Sequence, residues 1–391
     1  MRTLANDIMC AHPFAAFLED MSELGMKPAE QGGRRYAVIA ARSNPRWWLL
    51  PLDNREAAAA GLEMLQPVTR VAKVAKAVAR ALARFGPHHF LGHGHFRLSG
   101  LPDLAGAFDG RAAHVAAFTG TDGPHRKSTL QIMDASGAIL GYAKMSRAPH
   151  LRSYIRNEAK ILTHLTELSL ASADVPTVQA VKDDDEITLL ITDSLKSSSH
   201  TTPLHPKAEH LCFLNELRAK TERQGGGTTL DALERRMVEL ASVGGAEWTG
   251  RIASVAAALR PVQAEIPVCL AHGDFTPWNT FLQDGRLYVF DWEYANSAWP
   301  VGFDLAHFML ATVPPDKQPN SLPELLNRIS REHFGGNKMA AWRALLLSLA
   351  CHAVFYLGRL FEVGKPLSAW IEGSARAAMI DRLLAQRDTL T

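Results

Sequence analysis

Leu270-Ala-His-Gly-Asp-Phe-Thr-Pro-Trp-Asn-Thr280 places His272, Asp274 and Asn279 in an H-x-D-x-x-x-x-N frame. Val289-Phe-Asp-Trp-Glu293 then adds a second acid, Asp291. Between them Phe281-Leu282, a turn at Asp284-Gly285 and Leu287-Tyr288-Val289-Phe290 predict a β-hairpin. A carboxylate beside a hydroxyl nucleophile, with an amide and a second carboxylate able to share metal ions, is the equipment of phosphoryl transfer.

His272-Gly-Asp-Phe-Thr-Pro-Trp-Asn279 with Asp291-Trp-Glu293 resembles the aminoglycoside phosphotransferase and choline kinase family of small-molecule kinases. That family shares the protein-kinase fold but carries H-G-D in place of H-R-D. The resemblance implies an α+β, bilobal, protein-kinase-like fold. Its antiparallel-sheet N-lobe would occupy residues 111–195 and its mainly helical C-lobe residues 196–391. It covers residues 111–311 well, the C-terminal helices loosely and the first hundred residues not at all. Asp274 would accept or orient the proton of the acceptor hydroxyl, and Asn279 and Asp291 would bind Mg2+ through hard oxygen ligands. His272 would hold the loop backbone. Asp304, in Gly302-Phe-Asp-Leu-Ala306, would support the loop from below, with a helix N-cap as a compatible role. Glycine at 273 removes the arginine that would answer an activation-loop phosphate. Pro277 and Trp278 shape the loop, and Glu293 has two readings, assistance to metal or substrate and a surface ion pair.

Upstream, His114–Phe118, Ser128–Met133 and Ala138–Lys144 predict three strands. The connection Gly120-Thr-Asp-Gly-Pro-His-Arg126 sits where a kinase loop would cover ATP phosphates, although it is not G-x-G-x-x-G. On that reading Gly120, Thr121, Gly123 and Ser128 meet phosphate oxygens; on the plainer one the segment is a hairpin loop. In kinases a strand lysine binds the α- and β-phosphates and a helix glutamate orients it. Lys144 and Glu158, in a helix predicted over 154–165, stand in those positions, with Lys127 as the rival lysine. Val175–Val181 and Ile187–Thr192 complete an expected five-stranded antiparallel sheet. The lobes would join near Thr192-Asp-Ser-Leu195, where backbone groups at Thr192 and Ser194 could meet adenine. A polar linker, 196–203, follows, and helices near 209–222, 230–240, 250–259, 304–311, 322–333, 339–361 and 368–386 are expected beyond it.

Residues 1–110 read as an additional N-terminal α/β module: a short helix over 14–24, a hairpin from Tyr36–Ala41 and Trp47–Leu52 with a turn at 43–46, and a basic helix. That helix aligns Val71, Val74, Val78, Leu82 and Phe85, with Arg70, Lys73, Lys76, Arg80 and Arg84 elsewhere around it and no acid between Pro67 and Gly86. Residues 67–86 could contact an anionic membrane, but the favoured reading packs the apolar side and solvates the basic one. His88, His89, His93 and His95 lack matching Cys or acid spacing, so a loop is favoured over a metal site.

The 391 residues allow two or three packed units. Hydrophobic (47%) and charged (21%) fractions are ordinary for a globular chain, which argues against wholesale disorder. A net charge of +2 gives no general case for nucleic acid as a partner. Cys10, Cys212, Cys269 and Cys351 are scattered and read as free thiols. No signal-peptide pattern is seen, and Ala344–Leu357 is too short to span a bilayer and reads as a buried helix. The expectation is a cytoplasmic small-molecule kinase using ATP (GTP is the alternative) and Mg2+, its partner a small acceptor such as a sugar, amino alcohol or aminoglycoside-like compound. The competing reading is a nucleotide-binding pseudokinase whose N-terminal module binds a partner; Asp274, Asn279 and Asp291, all present, speak against it. Oligomeric state has no signature in the sequence.

Overall fold

The computed structural model describes residues 6–41, 45–65, 70–85, 94–104, 106–123, 125–196 and 200–386. The turn residues 43 and 44, residues 67–69 and 86 flanking the basic helix, His88, His89, His93, Pro124 and linker residues 197–199 lie outside them. The chain divides into two units, Met1–Thr166 with Val175–His200, and Glu167–Asp174 with Thr201–Thr391.

The first unit contains α1 (Asn6–Cys10), α2 (His12–Glu23), β1 (Arg34–Ala40), β2 (Trp47–Pro51), α3 (Arg55–Gly61), α4 (Arg70–Phe85), β3 (Gly94–Leu98), β4 (His114–Phe118), β5 (Ser128–Met133), β6 (Ile139–Ser146) and most of α5 (Pro149–Leu168). After β7 (Ala173–Asp174), which belongs to the second unit, come β8 (Val178–Asp183) and β9 (Thr188–Asp193). The five expected strands are contiguous, in the order β4-β5-β6-β9-β8.

The sheet does not stop there. Its full order is β3-β1-β2-β4-β5-β6-β9-β8, antiparallel throughout. The hairpin expected in the additional N-terminal module therefore extends this sheet, pairing Trp48 with Phe118 and Leu49 with Ala117. Pairing removes an open edge on β4, whose unpaired N–H and C=O groups would otherwise face solvent. Trp48 stacks on Phe118 across the join, ring centres 5.1 Å apart.

Strand alternation feeds two apolar layers. Tyr36, Val38, Leu49, Val115, Leu130 and Ile132 pack with Phe14, Phe17 and Met21 of α2. Ala37, Leu50, Ala116 and Met133 pack with Ala57, Ala58 and Leu62, and with Ala83 of α4.

α4 reverses the favoured reading. Val71 (80% exposed), Val74 (65%), Val78 (54%), Leu82 (43%) and Phe85 (81%) face outward. The helix instead seats its alanine side, with Ala83 buried, and is clasped by ion pairs: Lys76 and Arg80 to Glu63, at 2.7 and 3.3 Å, and Arg84 to Glu56 at 2.6 Å. Glu63 is itself buried, so the two cations that neutralise it fix which side of the helix points in.

The second unit is mainly helical: α6 (Ala208–Thr221), α7 (Gly226–Glu239), α8 (Ala241–Leu259), α9 (Phe303–Ala311), α10 (Leu322–His333), α11 (Lys338–Glu362) and α12 (Gly373–Ala385). Its strands are β7, β10 (Arg223–Gln224), β11 (Pro267–Ala271), β12 (Thr280–Gln283), β13 (Arg286–Val289) and β14 (Asn296–Pro300). By length and composition α11 could cross a bilayer, but 78% of its most apolar window is buried among the other helices of the unit.

Candidate active site

In the second unit, β11 delivers the chain into the loop 272–279 and the β12–β13 hairpin carries it on to Asp291. The hairpin turn has positive φ at both Asp284 (52°) and Gly285 (78°), the geometry of a two-residue type I′ connection. It keeps Thr280 opposite Val289, which sets Asn279 and Asp291 at the same end of the hairpin.

The loop itself is tightly tied. Gly273 has φ +83°, and a Cβ there would lie 2.2 Å from the Tyr294 carbonyl oxygen, so glycine is required by backbone and by space. Asp304 accepts the backbone N–H of His272 at 2.7 Å and of Gly273 at 3.0 Å. The N-cap of α9 is Gly302 and not Asp304, whose carboxylate is committed to the loop. Burial raises the Asp304 pKa above the ordinary carboxylate value, with His272 and the two N–H donors pulling the other way. His272 is fully buried. Its Nδ1 accepts the Asp274 N–H at 3.2 Å, which leaves Nε2 as the donor to the Phe290 carbonyl at 2.9 Å. The ring thus links the loop to the segment that bears Asp291.

Asp274 keeps 31% of its side chain exposed while both carboxylate oxygens are engaged. Oδ2 accepts from Asn279 Nδ2 at 2.9 Å, and Oδ1 lies 3.0 Å from His307 Nε2. The same Asn279 nitrogen donates to the Asp274 carbonyl at 2.9 Å. Both partners of that nitrogen are acceptors, so the amide oxygen is the end turned away from Asp274. Asp291 adopts φ 72°, an uncommon left-handed conformation for a non-glycine residue. One oxygen of Asp291 lies within 4.8 Å of one of the buried Glu293. An amide oxygen and two carboxylates are hard donors and suit Mg2+.

His307 was not singled out in the sequence. It follows Asp304 by one helical turn on α9, and that spacing is the signal that could have found it. Its ring centre lies 5.0 Å from that of His352 on α11. Burial and the neighbouring Arg376 hold the His352 pKa well below 6.5, so that imidazole is neutral. Also on α11, Arg359 stands over the rings of Tyr294 and Tyr356 at 5.4 Å and of Phe355 at 5.9 Å. Among the described residues no carboxylate comes within ion-pair distance of Arg359. Burial first, and the Asp274 charge second, push the Tyr356 hydroxyl up to about 12. Tyr356 packs on His352 with ring centres 4.6 Å apart, and His352 on His307, so contacts run from that aromatic surface to Asp274.

In the first unit Lys144, on β6, forms an ion pair with Glu158 of α5, Nζ lying 2.7 and 2.8 Å from the two carboxylate oxygens. Glu158 is 2% exposed and Lys144 19%. In the Gly120 loop, Gly120 and Gly123 have φ +81° and +151°, and Thr121 is exposed. Ser128 is elsewhere. Fully buried, it donates to Asp20 of α2 at 2.6 Å and accepts from Arg126 at 3.1 Å. Arg126 also bonds Asp20 at 2.6 Å and the Thr119 carbonyl at 2.7 Å. Ser128 thus belongs to a buried triad beneath the loop and does not project from it. Asp20 was missed; an acid among Phe14, Phe17, Met21 and Leu24 was the available signal. Thr192 is buried in β9, and the Ser194 N–H donates to the Leu140 carbonyl at 3.1 Å.

No curated protein matches the chain. Solved structures with a loose likeness include a GDP complex of an aminoglycoside 2′-phosphotransferase IIIa mutant, at 10% identity and a TM-score of 0.46, covering 72% of this chain and 95% of that one. Another is an aminoglycoside phosphotransferase from Streptomyces rimosus in complex with ADP and streptomycin, at 15% identity and 0.33, covering 66% and 90%. A spectinomycin phosphotransferase with ADP and spectinomycin matches at 9% and 0.34, covering 71% and 90%. Likenesses at this level carry no residue-by-residue correspondence. The sequence profile of the phosphotransferase enzyme family, by contrast, matches residues 142–344. That segment is just over half of the chain and takes in Lys144, Glu158 and the whole loop from His272 to Asp291. The chain belongs to the phosphotransferase enzyme family, as a small-molecule kinase.

Proposed function

We propose that the protein transfers the γ-phosphoryl group of ATP to a hydroxyl of a small metabolite, with Mg2+ bound and Asp274 as the base. The observation that carries this reading is the Asp274 carboxylate, open to solvent yet fixed from both sides by Asn279 and His307. A loose phosphoryl-transfer transition state leaves proton removal late, so orientation of the acceptor hydroxyl outweighs basicity. Asn279, through its amide oxygen, and Asp291 would hold the metal, with Glu293 beside them; the ion supplies neutralisation of phosphate charge. Lys144, oriented by Glu158, binds the α- and β-phosphates. Gly120, Thr121 and Gly123 offer backbone N–H groups to phosphate, and backbone groups near Thr192 and Ser194 meet the base. GTP is the alternative nucleotide.

His307 is a positioning residue on this reading. His307→Ala should lower kcat by about 10–100-fold with the nucleotide KM unchanged, because a misplaced base loses alignment and not binding. His307→Gln, which keeps a donor, should recover part of the loss. Equal losses in both variants, or a rise in nucleotide KM, would count against the role.

Arg359 supports an acceptor bearing an anionic group, or a neutral sugar stacked on Tyr356 and Phe355, over a polycationic one. A cation held on aromatic faces, with no carboxylate at ion-pair distance among the described residues, disfavours a polycationic acceptor. In steady-state kinetics Arg359→Gln should raise the acceptor KM about tenfold and leave the ATP KM near wild type, the loss of one charge-assisted contact. An unchanged acceptor KM would remove Arg359 from the acceptor site.

A further inference from the structure

We propose that α4 docks the protein on an anionic lipid surface. The helix shows an unbroken outward stripe of Val71, Val74, Val78, Leu82 and Phe85, with Phe85 and Val71, at its two ends, about four-fifths exposed. Sixteen residues at ~1.5 Å each make this stripe roughly 24 Å long, far more contiguous than scattered surface apolar residues. Among the described residues none covers this stripe, whose five side chains all stay exposed. The inward side is made of alanines and of Lys76 and Arg80 tied to Glu63, so the stripe points away from the sheet the helix covers.

Charge selects the occupant. Residues 67–86 contain five cations and no acid, and Glu56 and Glu63, which partner three of those cations, carry too little charge to cancel them. A second copy would bring two such helices together with like charges facing. A bilayer containing acidic phospholipid supplies hydrocarbon for the stripe, headgroup phosphate for the exposed Lys73, and an anionic field that the helix's excess positive charge favours. The catalytic groups take no part in this contact, so it stands or falls apart from the proposed function.

The test is flotation of the full chain with vesicles of pure phosphatidylcholine and of phosphatidylcholine mixed in equal parts with phosphatidylglycerol. The expected result is binding to the mixed vesicles at least about tenfold tighter than to pure phosphatidylcholine, weakening as salt is raised. The double variant V74E/V78E should lose it while keeping the wild-type unfolding midpoint, since both positions are exposed. V74S/V78S, which adds no charge, should bind several-fold more weakly. Failure of the wild-type chain to float with the mixed vesicles would overturn the proposal. So would equal binding by V74E/V78E, or a dimer in solution that V74E/V78E dissociates, which would assign the stripe to a second copy.

Discussion

Replacing Asp274 with Asn should lower turnover by about 10²–10⁴-fold, the usual contribution of a positioned acid–base group, with ATP affinity close to wild type. The size of the loss can be assigned to chemistry because the surroundings tolerate the exchange. Asp274 accepts from Asn279 on one oxygen and faces His307 on the other. In the Asn variant the carbonyl oxygen can still accept from Asn279, and the new NH2 meets the imidazole. His307 can answer by moving its proton to Nδ1 and presenting the Nε2 lone pair. The loop also keeps its ties to Asp304 and through His272 to Phe290, none of which passes through the Asp274 carboxylate. Because the Nδ1 of His307 is buried with no partner among the described residues, that shift has a cost, and the thermal midpoint should fall by a few degrees while the chain stays folded. A variant that turns over at the wild-type rate, or one that unfolds, would contradict this assignment.

The largest effect on stability is expected from Asp20→Ala. Asp20 is 3% exposed at the side chain and Arg126 is 9%, and Ser128 has no exposure at all. Burial raises the Asp20 pKa and the Arg126 charge and Ser128 hydroxyl oppose that rise, so the carboxylate depends on both partners. Removing it strands a buried guanidinium beside a hydroxyl, a change that costs about 3–5 kcal/mol. Asp20→Asn should cost less, since it retains an acceptor for Ser128 or Arg126. Hydrogen exchange of the β4, β5 and β6 amides at increasing urea reads the sheet unit by itself, because all three strands lie in it. A loss below about 1 kcal/mol, typical of exposed pairs, would show that the triad does not hold the loop. Because Arg126 also holds the Thr119 carbonyl, Asp20→Asn should disturb the Gly120 loop even where the unit stays folded.

What could be read from the sequence was local. The β12–β13 turn is written in Asp284-Gly285, strands β4 to β6 in their alternation, and α11 in its apolar run. Lys144 and Glu158 were found by order along the chain, fourteen residues apart, and the structure pairs them. What could not be read depends on distant partners. Nothing local says that Trp48 will meet Phe118, so residues 1–110 read as an additional module with no sign that its hairpin, β1 and β2, continues the sheet. In α4 the periodicity reveals an apolar stripe but not its direction, which is set by Glu63, outside the helix. Ser128 resembled a phosphate ligand because its strand position was right, while its buried surroundings are supplied by Asp20 on α2.

The most direct measurement is acceptor-dependent conversion of MgATP to ADP across a panel of sugars, sugar acids, amino alcohols and aminoglycosides, with phosphorus NMR on any product. Turnover is expected with a hydroxylated acceptor, fastest when it is neutral or anionic, with a phosphomonoester as product and loss of turnover in Asp274→Asn. Binding of MgATP with no acceptor-dependent turnover anywhere in the panel, or turnover that survives Asp274→Asn at the wild-type rate, would contradict that expectation.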